Sequence, residues 1–191
     1  MKLHAMLLLI APLLVAACAT SSSSRPYAVA LLQPTRGSSA TGTIWLTQDG
    51  PDVVARGKVS GLKPNQEHGF HVHETGDCSS NDGMSAGGHF NPNGKPHGRP
   101  GPEHHAGDLP ALRADARGDA DVRFEVPGTV FGPDAGALAG RALIVHAGPD
   151  DYTTQPTGNS GARLERTQDG GIDAAEVKIG EMDQGAHAAA G

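Results

Sequence analysis

The stretch His68-Gly69-Phe70-His71-Val72-His73 decides how this chain folds. Drawn out as a strand, it sends Phe70 and Val72 to one face and His71 and His73 to the other, because side chains two apart share a face. One face is then apolar enough to join a core, and the other presents two imidazoles side by side, close enough to reach one metal ion. An H-x-H pair alone is weak, since two surface histidines produce it as readily as a binding site does.

Working outward, the same period-2 alternation returns at residues 27–32, 41–47, 52–59, 111–116, 120–126 and 141–146. Within 41–47, Ile44 and Leu46 face away from Trp45; within 52–59, Val53, Ala55, Gly57 and Val59 share a side. Asp49-Gly50-Pro51 and Arg117-Gly118-Asp119 are turn signals that join neighbouring runs as hairpins. With 27 Gly, 14 Pro and no long helical period, the expected class is all-β. The expected architecture is a Greek-key antiparallel sandwich or flattened barrel of about eight strands. Two connections, 74–108 and 147–161, are too long for hairpins, and long irregular loops inside a domain usually carry function.

The chemistry concentrates there. Of the 10 His, most fall between residues 67 and 105. His89, His97, His105 and Asp108 make three imidazoles and a carboxylate, a donor set that suits tetrahedral zinc. His71, His73, His146 and a shared His89 make four nitrogens, which suit copper(II). Seven residues for two metals require one imidazole to bind through both ring nitrogens. Each residue taken singly has a plainer reading. His97 could be a solvated loop side chain, and His104 could replace its neighbour His105, though the spacing to Asp108 favours His105 and leaves His104 exposed. Asp150 could be a turn acid, Arg163 a surface cation, and His68 a scaffold histidine.

Residues 67–74, 85–92, 105–109 and 140–151, together with Thr157-Gly158-Asn159-Ser160-Gly161-Ala162-Arg163-Leu164, resemble the copper/zinc superoxide dismutases. Asp150-Asp151-Tyr152-Thr153-Thr154-Gln155-Pro156 is similar to the bacterial periplasmic branch in particular. The resemblance runs from about residue 27 to 164 with its blocks in order. It implies copper on His71, His73, His89 and His146, and zinc on His89, His97, His105 and Asp108, with His89 as the bridge. It further implies Asp150 as the carboxylate linking a copper histidine to a zinc histidine, and Arg163 as the guide for an anionic substrate. The implied activity is dismutation of superoxide to dioxygen and hydrogen peroxide by redox cycling of copper, His89 taking up and giving back a proton. A non-catalytic copper-binding or copper-delivery protein on the same fold is the rival expectation. Homodimer and monomer both remain open.

The chain departs from the family at one point. Cys78 stands where the family has half of an intrasubunit disulfide, but its partner position, three residues after Arg163, holds Arg166. Glu165 and Arg166 put charge where the family's last strand is small and apolar, so the closing strand is the least supported element. A loop-closing disulfide is worth about 2–4 kcal/mol. Its loss predicts a metal-dependent fold and leaves Cys78 open to an intermolecular disulfide.

At the N-terminus, Lys2, an apolar run over 5–17 and small residues before Cys18 form a secretory signal, too short to span a bilayer. Small residues followed by Cys resemble the bacterial lipoprotein box. This implies cleavage before Cys18, lipidation of Cys18 and an anchored protein on the periplasmic side of the envelope; Ala19 after the Cys implies sorting to the outer membrane. The expected organisation is residues 1–17 as cleaved signal, 18–26 as lipid-anchored Ser-rich tether, 27–179 as the dismutase-like domain and 180–191 as a disordered tail. A net charge of -6 without a basic stripe argues against nucleic acid as a partner, while a small anion such as superoxide needs only a favourable local field.

Overall fold

The computed structural model describes residues 27–129, 137–167 and 172. The expected signal, Cys18, tether and tail lie outside them. Nine strands form among the described residues: β1 (Tyr27–Pro34), β2 (Thr41–Asp49), β3 (Asp52–Ser60), β4 (Glu67–His68), β5 (Phe70–His73), β6 (Leu112–Arg113), β7 (Ala120–Val126), β8 (Ala142–His146) and β9 (Arg163–Thr167). Seven make one curled antiparallel sheet in the order β5-β8-β9-β1-β2-β3-β7, and β4 pairs with β6 beside it. The chain therefore leaves β3, crosses to the far edge to lay down β5, and returns to pair β7 against β3, from Val53 opposite Val126 to Val59 opposite Ala120.

The alternation seen in the sequence sets what is buried. Ala28, Ala30 and Leu32 on β1, Ile44 and Leu46 on β2, and Val53, Ala55 and Val59 on β3 fill the interior, while Trp45 points outward and is 51% exposed. Most of these side chains are small or β-branched, as a tightly curled sheet needs on its concave side. Phe70 and Val72 on β5, with Leu143 and Val145 on β8, join the same core. Their neighbours Ala142 and Ile144 face the other way and pack with Cys78 and Ala86 from the long loop. That loop, with one 3-10 turn at Met84–Ala86, is thus laid over the outer face of β8.

Three elements differ from the sequence expectation. The run 68–73 is broken at Gly69, whose N–H donates to Gly148 (2.8 Å) while its carbonyl accepts from His146 N–H (2.9 Å). The run 111–116 shrinks to the two residues of β6, because only Glu67 and His68 are there to pair with it. The closing strand does form: β9 pairs with β8 and with β1 despite its charges. A bulge where β9 meets Val145 and His146 lets Arg163 stand opposite His146 and Glu165 opposite Val145. Cys78 is not in a disulfide; its thiol is buried (0%) and lies 3.9 Å from the Thr167 hydroxyl rather than taking a partner from position 166. The burial of this thiol means that another chain could reach it only if the loop opened.

Glu165 carries the cost of this altered strand. It shares the core-facing register of Val145, is fully buried (0%), and neither carboxyl oxygen has a hydrogen-bond partner. Burial alone pushes its pKa up from 4.5 to about 8, so it stays protonated at neutral pH. The unfolded chain loses this proton near 4.5 and the folded one near 8, so stability is full below the lower value and falls by about 1.4 kcal/mol per pH unit between them. Replacing Glu165 with Leu should raise the denaturation midpoint and remove this decline. Denaturant titrations at pH 5 and pH 8 should show the gap between variant and wild type widening at the higher pH.

Candidate metal centre

β5 is an edge strand, and its free side is closed by main chain from the long loop. Phe90 N–H donates to Val72 O (2.8 Å), Val72 N–H to Gly107 O (2.9 Å) and Glu74 N–H to Gly88 O (3.0 Å). Bridges pair His73 with His89 and His71 with Asp108. Only glycine fits at position 107, where a Cβ would come within 2.4 Å of Val72 O and 2.9 Å of Phe90 N. The loop is thereby registered on the strand, with His89 and Asp108 placed opposite the two strand histidines. β8 supplies His146 from its C-terminal end.

The structure brings together both groups read from the sequence. Donor atoms of His71, His73, His89 and His146 lie within 4.8 Å of one another, as do those of His89, His97, His105 and Asp108, and all seven residues are buried. His89 belongs to both sets. Its ring is stacked 3.9 Å from that of His71, and lies 5.1 Å from both the His73 and His97 rings.

Hydrogen bonds select one nitrogen on each ring of the first set. His73 donates Nδ1–H to Gly87 O (3.0 Å) and His146 donates Nδ1–H to Gly161 O (3.2 Å). His71 uses Nε2 instead, against Asp150 Oδ2 at 2.6 Å. What remains is His71 Nδ1, His73 Nε2 and His146 Nε2, three buried ring nitrogens with no partner in the protein. Unpartnered buried acceptors are costly, and a ligated metal satisfies them at once.

In the second set the three Nδ1 atoms of His89, His97 and His105 surround Asp108 Oδ1 at 3.0, 2.9 and 3.4 Å. Four donors about 2.0–2.1 Å from a tetrahedral ion lie about 3.3 Å apart, so this spacing fits one ion held at their centre. Asp108 Oδ2 is fixed by Gly98 N–H (3.0 Å). Asp150 ties the two sets together through His71 Nε2 on one oxygen and His97 Nε2 (3.1 Å) on the other. The residues present fit both metals.

Electrostatics keep the rings ready to ligate. Burial pushes the His71 pKa down to about 4 and the His146 pKa to about 3, with neighbouring imidazoles adding to the effect. Burial and then the Arg163 charge hold His73 well below its usual range. All three are neutral with a lone pair free at neutral pH. For Asp150, burial raises the pKa, but hydrogen bonds from His71, the Tyr152 amide and His97 outweigh it and keep the carboxylate ionised. Arg163 is clamped by two carbonyls, donating Nη1–H to Gly83 O (2.5 Å) and Nη2–H to Gly87 O (2.7 Å). Gly87 O thus serves both Arg163 and His73.

His68 is a scaffold residue, as read: it is buried and its Nδ1 meets the His146 carbonyl at 2.7 Å. His104 is half-buried rather than exposed, because its ring packs on Gly98, where a Cβ would lie 2.3 Å from it. The sequence reading missed the carbonyls of Gly83, Gly87 and Gly161, and it missed Tyr152 and Gln155. Main-chain acceptors have no residue-type signature, and a polar loop side chain looks the same whether or not it has a partner.

A curled antiparallel sheet carrying two adjoining histidine clusters defines a binuclear metalloprotein. The family profile described as copper/zinc superoxide dismutase (SODC) matches residues 40–167. Two relatives from Aquifex aeolicus (strain VF5) are similar over 124 residues, 62% of this chain: "Superoxide dismutase [Cu-Zn] 2" at 41% identity and "Superoxide dismutase [Cu-Zn] 1" at 42%, covering 72% and 73% of their own lengths. Among solved structures, a SOD-like protein from Bacillus subtilis superposes with TM-score 0.66 at 38% identity, over 73% of this chain and 95% of its own. The clock protein EA4 does so with TM-score 0.67 at 32% identity, over 76% of this chain and 94% of its own. The chain belongs to the copper/zinc superoxide dismutase family.

Two outcomes follow from the geometry. At Gly158 (φ +70°) a Cβ would sit 2.4 Å from Asp150 Oδ1 and 2.7 Å from His97 Nε2. Gly158→Ala should therefore displace Asp150 and lower the metal content of the purified protein, read by elemental analysis. In metal-free protein, the unfolded chain protonates His71 and His146 near 6.5, while the folded chain resists to about 4 and about 3. Stability should then be lost as pH falls through that window, by about 1.4 kcal/mol per pH unit for each group. Denaturant titrations of metal-free protein between pH 7 and pH 4 check it.

Proposed function

We propose that this protein dismutates superoxide, converting two superoxide anions and two protons to dioxygen and hydrogen peroxide. The observation that carries this reading is the double membership of His89, one ring facing two donor sets at once. His71, His73, His89 and His146 would hold copper, and His89, His97, His105 and Asp108 would hold zinc. Copper supplies one-electron redox chemistry when bound, and zinc a fixed positive charge with none.

The chain's own residues do the rest. Arg163 attracts the anion and orients it, its guanidinium held still by Gly83 O and Gly87 O. His89 presents Nδ1 towards Asp108, which leaves Nε2 for the other set. That nitrogen holds a proton in one half of the cycle and releases it to the departing peroxide in the other. Asp150 keeps His71 and His97 in fixed ring orientations, as a carboxylate does behind metal-bound imidazoles. A copper-delivery protein would need neither the second buried set nor a clamped arginine beside the first.

The same reading places the protein on the periplasmic side of the envelope, anchored by a lipid at Cys18 and sorted to the outer membrane, where it removes superoxide arising outside the cytoplasm. What supports this is the apolar run before Cys18 and the likeness of 150–156 to the periplasmic branch.

Metal analysis beside a dismutation assay tests the function: one copper and one zinc per chain with fast turnover is expected, whereas full loading without turnover would reject the enzyme. Arg163→Ala should keep its copper, lose roughly tenfold or more in rate, and lose most of the salt dependence that a steered anion confers. Rates measured across ionic strength check this.

A further inference from the structure

His97 owes its position to a part of the chain far from its own. His89 and Asp108 are registered on β5 by main-chain bridges, and Asp108 N–H is tied to His105 O (3.1 Å). His97 instead follows a turn closed on itself, where Asn91 Nδ2–H donates to Lys95 O (2.8 Å) and Lys95 N–H to Asn91 Oδ1 (2.9 Å). It is 2% exposed, and a buried N–H and C=O each need a partner. One side chain meets both. His97 N–H donates to Gln155 Oε1 at 2.9 Å, and Gln155 Nε2–H donates to His97 O at 2.9 Å, 58 residues along the chain.

A primary amide offers a donor and an acceptor in one plane, so Gln155 pairs with His97 as a neighbouring strand would. The same loop holds the His97 ring. Asp150 Oδ1 meets its Nε2 at 3.1 Å and also accepts from Tyr152 N–H at 3.0 Å. The Tyr152 ring lies 9° from parallel to the His97 ring at 6.5 Å, and the Arg99 guanidinium sits 4.5 Å from the centre of the Tyr152 ring.

We propose that Gln155 is a positioning residue for the second metal: by pairing with both main-chain groups of His97 it keeps that ligand in place and so sets how slowly zinc leaves. The inference rests on the assignment of zinc to His89, His97, His105 and Asp108. It adds that His97 is the first ligand withdrawn when zinc dissociates, and that residues 150–158 control this step. Gln155 is exposed outside its amide contacts and fills no part of the core, so its replacement leaves the fold intact.

The test follows zinc release from the full chain, loaded with copper and zinc, to a chromogenic chelator. Loss of both hydrogen bonds in Gln155→Ala should speed release roughly tenfold. Gln155→Glu should release zinc faster still, because an anionic oxygen then faces the His97 carbonyl, while copper content stays at the wild-type level in both. With cobalt(II) in place of zinc, the visible d–d bands should shift in Gln155→Ala, since they report donor geometry and not loop order. Wild-type release rates and unshifted bands in both variants would overturn the proposal. His105→Ala separates the two readings. If it loses zinc while the Gln155 variants hold theirs, only the role of Gln155 fails; if it retains zinc at the wild-type rate, the zinc assignment itself is wrong.

Discussion

The removal of seven ligating side chains from water at one flank of a small sheet is the constraint under which the rest of this structure is arranged. Imidazoles in that setting resist protonation, and their free nitrogens point at one another with nothing in the protein to satisfy them. Two carboxylates, Asp108 and Asp150, are the buried negative groups among them, and each is surrounded by ring nitrogens and main-chain N–H groups. The loops exist to bring these groups together and keep water out. The sheet supplies a registered base for three of the histidines.

Energetically the centre and the strand beside it pull in opposite directions. The family's loop-closing disulfide is gone, and in its place are a buried thiol near Thr167 and a buried carboxyl with no partner. Both changes weaken the attachment of β9, the strand that joins the metal-bearing side of the sheet to β1 and carries Arg163. Without the covalent link, bound metal is expected to supply a larger share of the folding free energy than it would in a disulfide-linked relative.

Much of this is legible in the sequence alone. β1, β2, β3 and β7 announce themselves because each has one buried face and a clear turn at one end, which is when alternation is most informative, whereas β8 is an apolar run buried on both faces. Gly69 hid a break, since its hydrogen bonds run to residues 146 and 148 and nothing local marks them. β9 was obscured by Glu165, whose charge argues for solvent, whereas the register with Val145 forces it inward. The ligands could be read because metal chemistry narrows the residue types to a few in recognisable contexts. Gln155 could not, because its role lies in an amide meeting a main chain 58 residues away.

One consequence of the covered edge concerns assembly. β5 borders the sheet, and the main chain around Phe90 and Gly107 takes up its outward hydrogen-bonding groups. The segment that does so is the one the metals hold down. Stripped of its ions, the loop has less reason to stay, and four residues of bare ladder are offered to whatever backbone comes near. An identical edge on another molecule is the most abundant match, and like edges that pair close on each other as a two-fold dimer, so in the loaded protein the ions also act as a guard on the edge against such pairing.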